Sequence, residues 1–169
     1  TIVEAYRRGD VREDEQEAEV YLLRGQMLFK EQKYALAMHD FEAGLQLAPT
    51  RLDIMTNFGK TLYEMGRYDE ALPYFKQVLT RDQLNVDANY YIARILLRQG
   101  KLDEARSHFE RCVQRDPKAY PDAHRQLGLL YKDAGMLAPA RKSFERYLAL
   151  APKGSAEAEE VRRMLERMR

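Results

Sequence analysis

The chain has 169 residues, and its 28 Lys and Arg residues are nearly balanced by 27 Asp and Glu residues. A nucleic-acid-binding domain usually carries a basic excess or a basic stripe, so the near-neutral charge argues against a nucleic acid partner. Apolar runs are only a few residues long, far short of a membrane span. The single cysteine excludes an internal disulfide framework and leaves the cellular compartment undecided.

The first 17 residues form an acidic leader. Gly9 interrupts its helix-period apolar pattern, and Asp10 followed by Glu13 has the spacing of a capping box, a common helix start. We therefore expect a short helix up to about residue 8 and a second helix that begins at Val11 and runs beyond the leader.

One pattern recurs four times after the leader. Its fixed point is a phenylalanine at intervals of 34, 34 and 35 residues: Phe41, Phe75, Phe109 and Phe144. An alanine lies four residues before each phenylalanine: Ala37, Ala71, Ala105 and Ala140. A small residue lies sixteen residues before each phenylalanine: Gly25, Gly59, Ala93 and Gly128. So many coincidences at one period indicate an internal repeat, which determines the architecture.

Each repeat has the pattern of two helices joined by a short turn. In the second copy, apolar positions at helical spacing continue on both sides of a break at Met65–Gly66. We expect Gly59 to let the two helices approach closely and Phe75 to fill the space beside them. A proline, which disfavours helix before it, ends three copies: Pro49, Pro117 and Pro152. Such a hairpin cannot cover its own apolar face, so neighbouring hairpins should stack around one continuous core.

These positions resemble the pattern of the tetratricopeptide repeat (TPR) family, W-x2-L-G-x2-Y, A-x3-F and P over 34 residues. The resemblance implies an all-α fold, a right-handed α-solenoid of stacked helix-turn-helix hairpins, with four repeats: 18–51, 52–85, 86–120 and 121–154. The chain has no Trp, and Arg24 and Gln83 replace an expected leucine and proline. The position of the family's Trp is occupied by other residues: Tyr21, Met55, Asn89 and His124.

The two ends of the chain fit the same resemblance. A last helix is predicted over residues 155–169, with Ser155 as its cap. Its apolar stripe is formed by Ala158, Val161, Leu165 and Met168. TPR proteins commonly end with such a helix, and we expect it to cover the last hairpin. Residues 1–8 are expected to be the truncated end of an upstream repeat or an N-terminal cap, with a regulatory arm as the alternative.

No catalytic or metal centre emerges from the sequence. None of His39, His108 and His124 lies three or four residues from another, so we expect all three to be structural, the first two facing outward. Cys112 occupies an interior slot of its repeat and should behave as a small apolar residue. The Gly-Lys-Thr triplet at 59–61 lacks the upstream glycine and preceding strand of a phosphate-binding loop. We therefore expect no enzyme, no cofactor and no metal.

In TPR arrays, residues 2, 5, 9, 12 and 13 of each first helix generally point into a concave groove. In this chain these positions combine basic side chains with apolar side chains that have no evident core role, a mixture typical of binding hot spots. The predicted peptide-binding residues are Phe29, Asn57, Lys60, Tyr63, Tyr90, Arg94, Leu97, Arg98, Arg125 and Leu129. The acids at the second positions are expected to be structural, because a carboxylate stabilises a helix start by about 0.3–1 kcal/mol.

The sequence therefore predicts a non-enzymatic adaptor for another protein or peptide. The bound segment should carry apolar side chains and at least one carboxylate, in a groove centred on the second and third copies. A loose resemblance to bacterial TPR proteins favours a role in secretion, pilus or envelope assembly, with cytoplasmic and periplasmic locations both open. Two alternatives also stay open: a self-assembling module whose leader packs on a neighbouring copy, and a docking domain of a larger protein. The chain is expected to be a monomer or a weak homo-oligomer.

Overall fold

A computed structural model of the chain describes residues 2–152 and 154–168, and the side chains of residues 13–152 and 154–168. These residues form nine α-helices and no β-strand, which confirms the predicted all-α helical-repeat fold. None of the nine helices is both long enough and apolar enough to cross a membrane. The helices form two compact units, which we call unit 1 (the first four helices) and unit 2 (the last five).

Unit 1 consists of two stacked hairpins. Its helices are α1 (Ile2–Lys30), α2 (Tyr34–Leu47), α3 (Leu52–Glu64) and α4 (Tyr68–Arg81). Within it, α1 packs on α2 and α3 on α4, and α2 packs against α3. Each hairpin thus buries its apolar face against its neighbour.

Unit 2 repeats this arrangement and adds a final helix. Its helices are α5 (Val86–Arg98), α6 (Leu102–Arg115), α7 (Pro121–Asp133), α8 (Leu137–Leu150) and α9 (Ala156–Arg167). Within it, α5 packs on α6, α6 on α7 and α7 on α8, and α9 lies against α8. The chain order of the helices is therefore also their packing order.

The turn between α3 and α4 shows how a hairpin reverses direction. The amide of Gly66 donates to the carbonyl of Tyr63 at 2.9 Å, and the amide of Arg67 donates to the carbonyl of Leu62 at 2.8 Å. This pair of bonds requires a left-handed residue after the helix, and the φ of Gly66 is 77°. The first hairpin places Gln32, with a φ of 59°, at the corresponding point of its turn.

A phenylalanine ring packed on the first helix fixes each hairpin. Four such rings are fully buried: Phe41, Phe75, Phe109 and Phe144. In three hairpins the ring lies directly over a glycine. A Cβ built on Gly59 would lie 2.9 Å from Phe75 Cε1, and one on Gly25 would lie 2.6 Å from Phe41 Cε1. The predicted role of these small residues is confirmed, since only a residue without a Cβ permits this close approach.

The predicted helix break at Gly9 is wrong. A single helix runs from Ile2 to Lys30 and includes both Gly9 and Asp10. A glycine inside a helix costs only about 1 kcal/mol relative to alanine, which the good helix formers around it can offset. The predicted roles of residues 1–8 as a cap, a repeat end or an arm concern side chains outside the described residues.

Arg24 stands where the family pattern has a leucine, and it makes an ion pair in place of an apolar contact. Its Nε and Nη2 donate to the two carboxylate oxygens of Asp40 on α2, both at 2.6 Å, and Asp40 is itself buried. The equivalent residues of the next hairpin are Phe58 and Tyr74, whose rings meet edge to face with centroids 4.8 Å apart. An ion pair in the first repeat and an aromatic pair in the second therefore make the same contact between the helices of a hairpin.

Unit 2 buries two of the titratable residues singled out in the sequence. Cys112 is fully buried, and burial raises the pKa of its thiol to about 12, so it acts as a small apolar side chain. His124 is also buried, and its Nε2 lies 2.8 Å from the carbonyl oxygen of Pro117. Because a carbonyl oxygen can only accept, Nε2 carries a proton. Burial, aided by the charge of Arg146, lowers the pKa of His124, which is therefore neutral.

The last helix lies over the final hairpin of unit 2. The Ser155 hydroxyl accepts a hydrogen bond from the amide of Ala158 at 3.2 Å and caps the start of α9. Ala158 and Val161 are buried in the apolar cluster that contains Phe144. The core of unit 2 therefore continues into α9.

We expect Gly128→Ala to destabilise the protein, although alanine favours a helix over glycine by about 1 kcal/mol. A Cβ at this position would overlap Cδ1 and Cε1 of Phe144, whose ring is fully buried. Overpacking of this kind costs about 1–3 kcal/mol, so urea denaturation should show a net loss of stability. The comparison is Ala93→Gly, which should lose the propensity difference of about 1 kcal/mol and about 0.8 kcal/mol for the buried methyl group. A Gly128→Ala protein more stable than the parent would contradict this packing.

We also expect the protein to lose stability as the pH falls below about 6.5, where a histidine in the unfolded chain takes up a proton. The lowered pKa of His124 means that the folded protein resists this proton, so the free energy of unfolding decreases towards acid. Urea denaturation at several pH values between about 7.5 and 5 measures this slope. His124→Met, which introduces the residue found at Met55 in the second repeat, should flatten it. Equal slopes in the two proteins would show that His124 does not contribute.

Candidate functional site

The ten predicted binding residues lie on the first helices of the hairpins, divided between the two units. In unit 1, Phe29 on α1 and Asn57 and Lys60 on α3 are half-buried, and Tyr63 is only 6 % exposed. The side-chain amide of Asn57 donates to the carbonyl of Asp53 at 2.8 Å within its own helix. These four positions lie on the first helices of the two hairpins of unit 1.

The expectation that the aromatic residues of unit 1 lack a core role is wrong for Tyr63, which is buried, whereas Phe29 is half-buried. Tyr63 meets Tyr68 edge to face with ring centroids 5.0 Å apart, and Phe29 meets Tyr34 in the same way at 5.3 Å. Both pairs join the end of a first helix to the start of the second. Helical periodicity places these rings on a face of the first helix, but the turn then brings another ring over them. They therefore stabilise the hairpin turns.

The same expectation is wrong for Tyr90, which belongs to an aromatic cluster in unit 2. Its ring is stacked on that of Tyr120, with centroids 3.8 Å and planes 8° apart. Edge-to-face contacts join it to Tyr91 and Phe109. Tyr90 is 5 % exposed, and burial raises the pKa of its hydroxyl to about 12. Its ring is a core group that links α5 to the segment before α7.

A row of hydrogen-bonded side chains leads from α5 to α7. Arg94 Nη1 donates to the hydroxyl of Tyr90 at 3.2 Å, and this hydroxyl lies 3.4 Å from Asp122 Oδ2. Arg125 donates to Asp122 Oδ1 through Nε at 2.9 Å and Nη2 at 2.8 Å. We call Tyr90, Arg94, Asp122 and Arg125 the polar row. It fixes two guanidinium groups relative to one another on two different helices.

Asp87, near the start of α5, accepts a side-chain hydrogen bond as Asp122 does near the start of α7. It accepts a hydrogen bond from the hydroxyl of Tyr120, and burial raises the pKa of Tyr120 well above its usual value. Asp87 and Asp122 are thus structural, but they act through side-chain partners as well as through position in the helix. Sequence reasoning missed Tyr120, because it lies outside the groove positions of the repeat. The one available signal was an aromatic residue directly before the predicted helix start at Pro121.

The other three predicted residues of unit 2 lie outside the polar row. Leu97 is half-buried and Arg98 is exposed, both in the last turn of α5. Leu129 on α7 is half-buried and packs against the apolar cluster of α8 and α9. The structure therefore brings together the side chains of Tyr90, Arg94 and Arg125 and leaves Leu97 and Arg98 further along α5.

The polar row can offer hydrogen-bond donors to an anionic group. Arg125 directs Nε and Nη2 at Asp122, which leaves Nη1 for a further acceptor, and guanidinium groups bind carboxylates with good geometry. Within the part of the chain that the structure describes, no group of three or more His, Cys, Asp and Glu side chains could hold a metal ion. His39 faces outward as expected, whereas His108 is half-buried with its Nδ1 2.9 Å from Asn89 Oδ1.

Sequence comparison identifies a single family along the chain. Three family models, each described as tetratricopeptide repeat, match residues 16–83, 56–120 and 96–165. Together they span residues 16–165. No curated protein matches the chain.

Solved structures share the fold at low sequence identity. MamA from Desulfovibrio magneticus RS-1 is 20 % identical with a TM-score of 0.71, over 90 % of this chain and 83 % of that one. YrrB, described as a TPR protein with an unusual peptide-binding site, is 23 % identical with a TM-score of 0.66, over 86 % and 74 %. TTC0263, a TPR protein from Thermus thermophilus, is 23 % identical with a TM-score of 0.66, over 89 % and 80 %.

At these identities the structural likeness shows the fold alone, and it agrees with the family matches. The family models overlap along the chain, and the fold consists of stacked helical hairpins. Both observations indicate the same family. The chain belongs to the tetratricopeptide repeat family.

Proposed function

We propose that this chain is a non-enzymatic scaffold that binds a segment of another protein at the polar row and the adjoining Leu97 and Arg98. The segment carries apolar side chains and at least one carboxylate. The polar row carries the proposal, since its hydrogen bonds hold Arg94 and Arg125 in place before any ligand arrives. Preorganised groups lose little conformational entropy on binding, so a few of them can supply most of the affinity.

The relatives support protein binding as the class of function. YrrB is described as having a peptide-binding site, and stacked helical repeats in general present extended binding surfaces. The predicted binding positions in unit 1, Asn57 and Lys60 among them, stay a prediction. A role in bacterial secretion, pilus or envelope assembly likewise stays a prediction from the sequence resemblance.

Reversing the charge of Arg94 and Arg98 should remove binding of acidic peptides. A hydrogen bond to a charged group contributes about 1.5–3 kcal/mol, so the double change should weaken binding at least about tenfold. Selection from a random-peptide phage library gives the ligands, which should be enriched in acidic and apolar residues. Fluorescence titration of a selected peptide then compares the parent with Arg94→Glu/Arg98→Glu.

The control for this experiment is Arg111→Glu/Arg115→Glu on α6. Both arginines are exposed, and the pair has the same spacing and the same change in net charge. It should bind as the parent does, with helicity and melting temperature unchanged in all three proteins. Arg98→Glu alone serves if the first variant melts early, because Arg94 also bonds Tyr90. Equal binding by the parent and Arg94→Glu/Arg98→Glu would reject the polar row as the site, and equal binding by Arg98→Glu alone would reject only the adjoining end of α5.

A second candidate function is self-association through α1. Val20, Leu23 and Met27 form an exposed apolar stripe on this helix, at 60 %, 53 % and 64 % exposure. The residues equivalent to Val20 and Met27 in the next repeat, Ile54 and Thr61, are fully buried. In that hairpin the preceding α2 lies against α3, whereas α1 has no such helix over its stripe among the described residues.

We infer that a second copy of the chain covers this stripe, in an antiparallel arrangement of two α1 helices. Its described N-terminal part carries five acids: Glu13, Asp14, Glu15, Glu17 and Glu19. The second half of the helix and the turn after it carry Lys30, together with Arg24 and Lys33, which pair with Asp40 and Glu31 of the same chain. Two α1 helices packed antiparallel would therefore place the acidic part of each opposite the basic part of the other.

Leu23→Glu/Met27→Glu should abolish this association. We expect the parent to show a concentration-dependent molar mass in light scattering, because burial of an exposed apolar stripe favours the dimer. Leu102→Glu/Leu137→Glu, which alters two exposed leucines in unit 2, is the matched control and should behave as the parent. A parent protein that is monomeric at every concentration would rule out the second candidate and leave peptide binding untouched.

A further inference from the structure

A groove of about 980 Å³ lies between α6 and α8 in unit 2. Leu127 and Tyr131 of α7 form its floor, and Val113 of α6 and Pro139 of α8 stand on its sides. We call it the α6/α8 groove. None of the residues that line it belongs to the polar row.

Unit 1 contains the equivalent groove in a smaller form. It lies between α2 and α4 and has a volume of about 290 Å³. Every residue that lines it, except Pro49, has its repeat equivalent among the residues lining the α6/α8 groove. The chain therefore has two equivalent grooves, and the differences between their side chains indicate which kind of group fits the larger one.

The first difference is an aromatic side chain. In unit 1, the ring of Tyr74 lines the groove and meets Phe58 edge to face with centroids 4.8 Å apart. The equivalent residues in unit 2 are Ser143 and Leu127. The space taken by the two rings in unit 1 is therefore open above Leu127 in unit 2.

The second difference is a bridge beside the groove. In unit 1, Arg67 Nη1 lies 2.9 Å from Met38 Sδ and joins the turn before α4 to α2. Unit 2 has the two residue types exchanged, with Met136 in the turn and Arg106 on α6. Arg106 pairs within its own helix instead, so it makes no such bridge. The α6/α8 groove accordingly extends as far as Pro139, in the first turn of α8.

His124, one of the residues that line the α6/α8 groove, has a ring nitrogen that can accept a hydrogen bond. Its Nε2 donates to the carbonyl of Pro117, so in the neutral ring Nδ1 is unprotonated. His124 lines the groove, whereas the equivalent residue in unit 1 is Met55, which offers only a weak acceptor. The hydroxyl of Ser143 adds a second polar group to the same lining. An aromatic side chain with an O–H or N–H donor satisfies both the apolar floor and the imidazole.

We propose that the α6/α8 groove is a second binding site, which receives a tyrosine or tryptophan side chain from a segment of a partner protein. In unit 1 the chain fills the equivalent space with its own Tyr74, and in unit 2 the partner supplies the ring. An open groove between two helices is a common docking place for partner segments. The groove and the polar row share no residue, so variants can alter one site at a time.

The test uses two capped pentapeptides, Ala-Ala-Tyr-Ala-Ala and Ala-Ala-Phe-Ala-Ala, together with p-cresol as a free phenol. Methyl chemical shifts of the full chain report on each groove, with Val113 and Leu127 in the α6/α8 groove and Leu45 in the unit 1 groove. We expect the tyrosine peptide to shift the methyl signals of Val113 and Leu127 and to leave those of Leu45 unchanged. It should bind about fivefold more tightly than the phenylalanine peptide, the effect of one hydrogen bond.

Three variants exchange the features of the two grooves. Ser143→Tyr introduces the tyrosine of unit 1 and should close the α6/α8 groove. We expect it to lower the affinity for the tyrosine peptide at least about tenfold. Tyr74→Ser opens the unit 1 groove and should create a new response at Leu45. His124→Met should make the two peptides bind equally, because it removes the acceptor. Circular dichroism of each variant checks that it folds. If Ser143→Tyr does not fold, the response at Leu45 in Tyr74→Ser tests the proposal by itself.

Several outcomes would overturn the proposal. If Ser143→Tyr binds the tyrosine peptide as tightly as the parent does, the peptide binds outside the α6/α8 groove. A chemical-shift change at Leu45 in the parent would likewise show that the peptide binds elsewhere. Binding of p-cresol without binding of the peptide would indicate a cavity for a free phenol and would exclude a partner segment. If Arg94→Glu/Arg98→Glu also loses binding of the tyrosine peptide, only the polar row binds it. If that variant still binds the tyrosine peptide, the two sites are separate.

Discussion

The contact between a buried phenylalanine and a small residue on the facing helix is the constraint on which the structure depends. Three of the four hairpins place the ring over glycine, where a Cβ would come within 2.9 Å of it or closer. This contact sets the separation of the two helices and therefore the register of every other contact in the hairpin. Because the register is the same in each repeat, differences between repeats are differences of side-chain chemistry at equivalent points.

Those differences give the two units distinct surfaces. The contact made by Phe58 and Tyr74 in the second repeat is an ion pair in the first, and in the fourth repeat a serine takes the place of the tyrosine. An aromatic ring fills the groove of unit 1, whereas a serine leaves the α6/α8 groove open. The polar row depends in a similar way on Tyr90, whose equivalents in unit 1 are Leu22 and Thr56, whereas unit 1 does have an aspartate, Asp53, at the position of Asp122. Function in a repeat protein arises from such local departures on a common frame.

The sequence predicts the helices well because period, turn residues and prolines each act locally. The turn at Gly66 and the cap at Ser155 illustrate this, and only the long α1 exceeds its predicted bounds. The burial of Tyr63 and Tyr90 could not be predicted, since each is covered by a tyrosine from outside its own helix face. The α6/α8 groove was also beyond prediction, because its size depends on how side chains of three helices pack together.

Site-specific photo-crosslinking tests the central claim, that the polar row and the adjoining end of α5 bind a peptide. A photoreactive phenylalanine derivative is placed at Leu97, beside Arg98, or at the exposed Leu102 on α6. With a peptide selected from a random library, we predict a crosslink from position 97 and none from position 102. A crosslink from 102 alone, or equal crosslinking from both positions, would contradict the account.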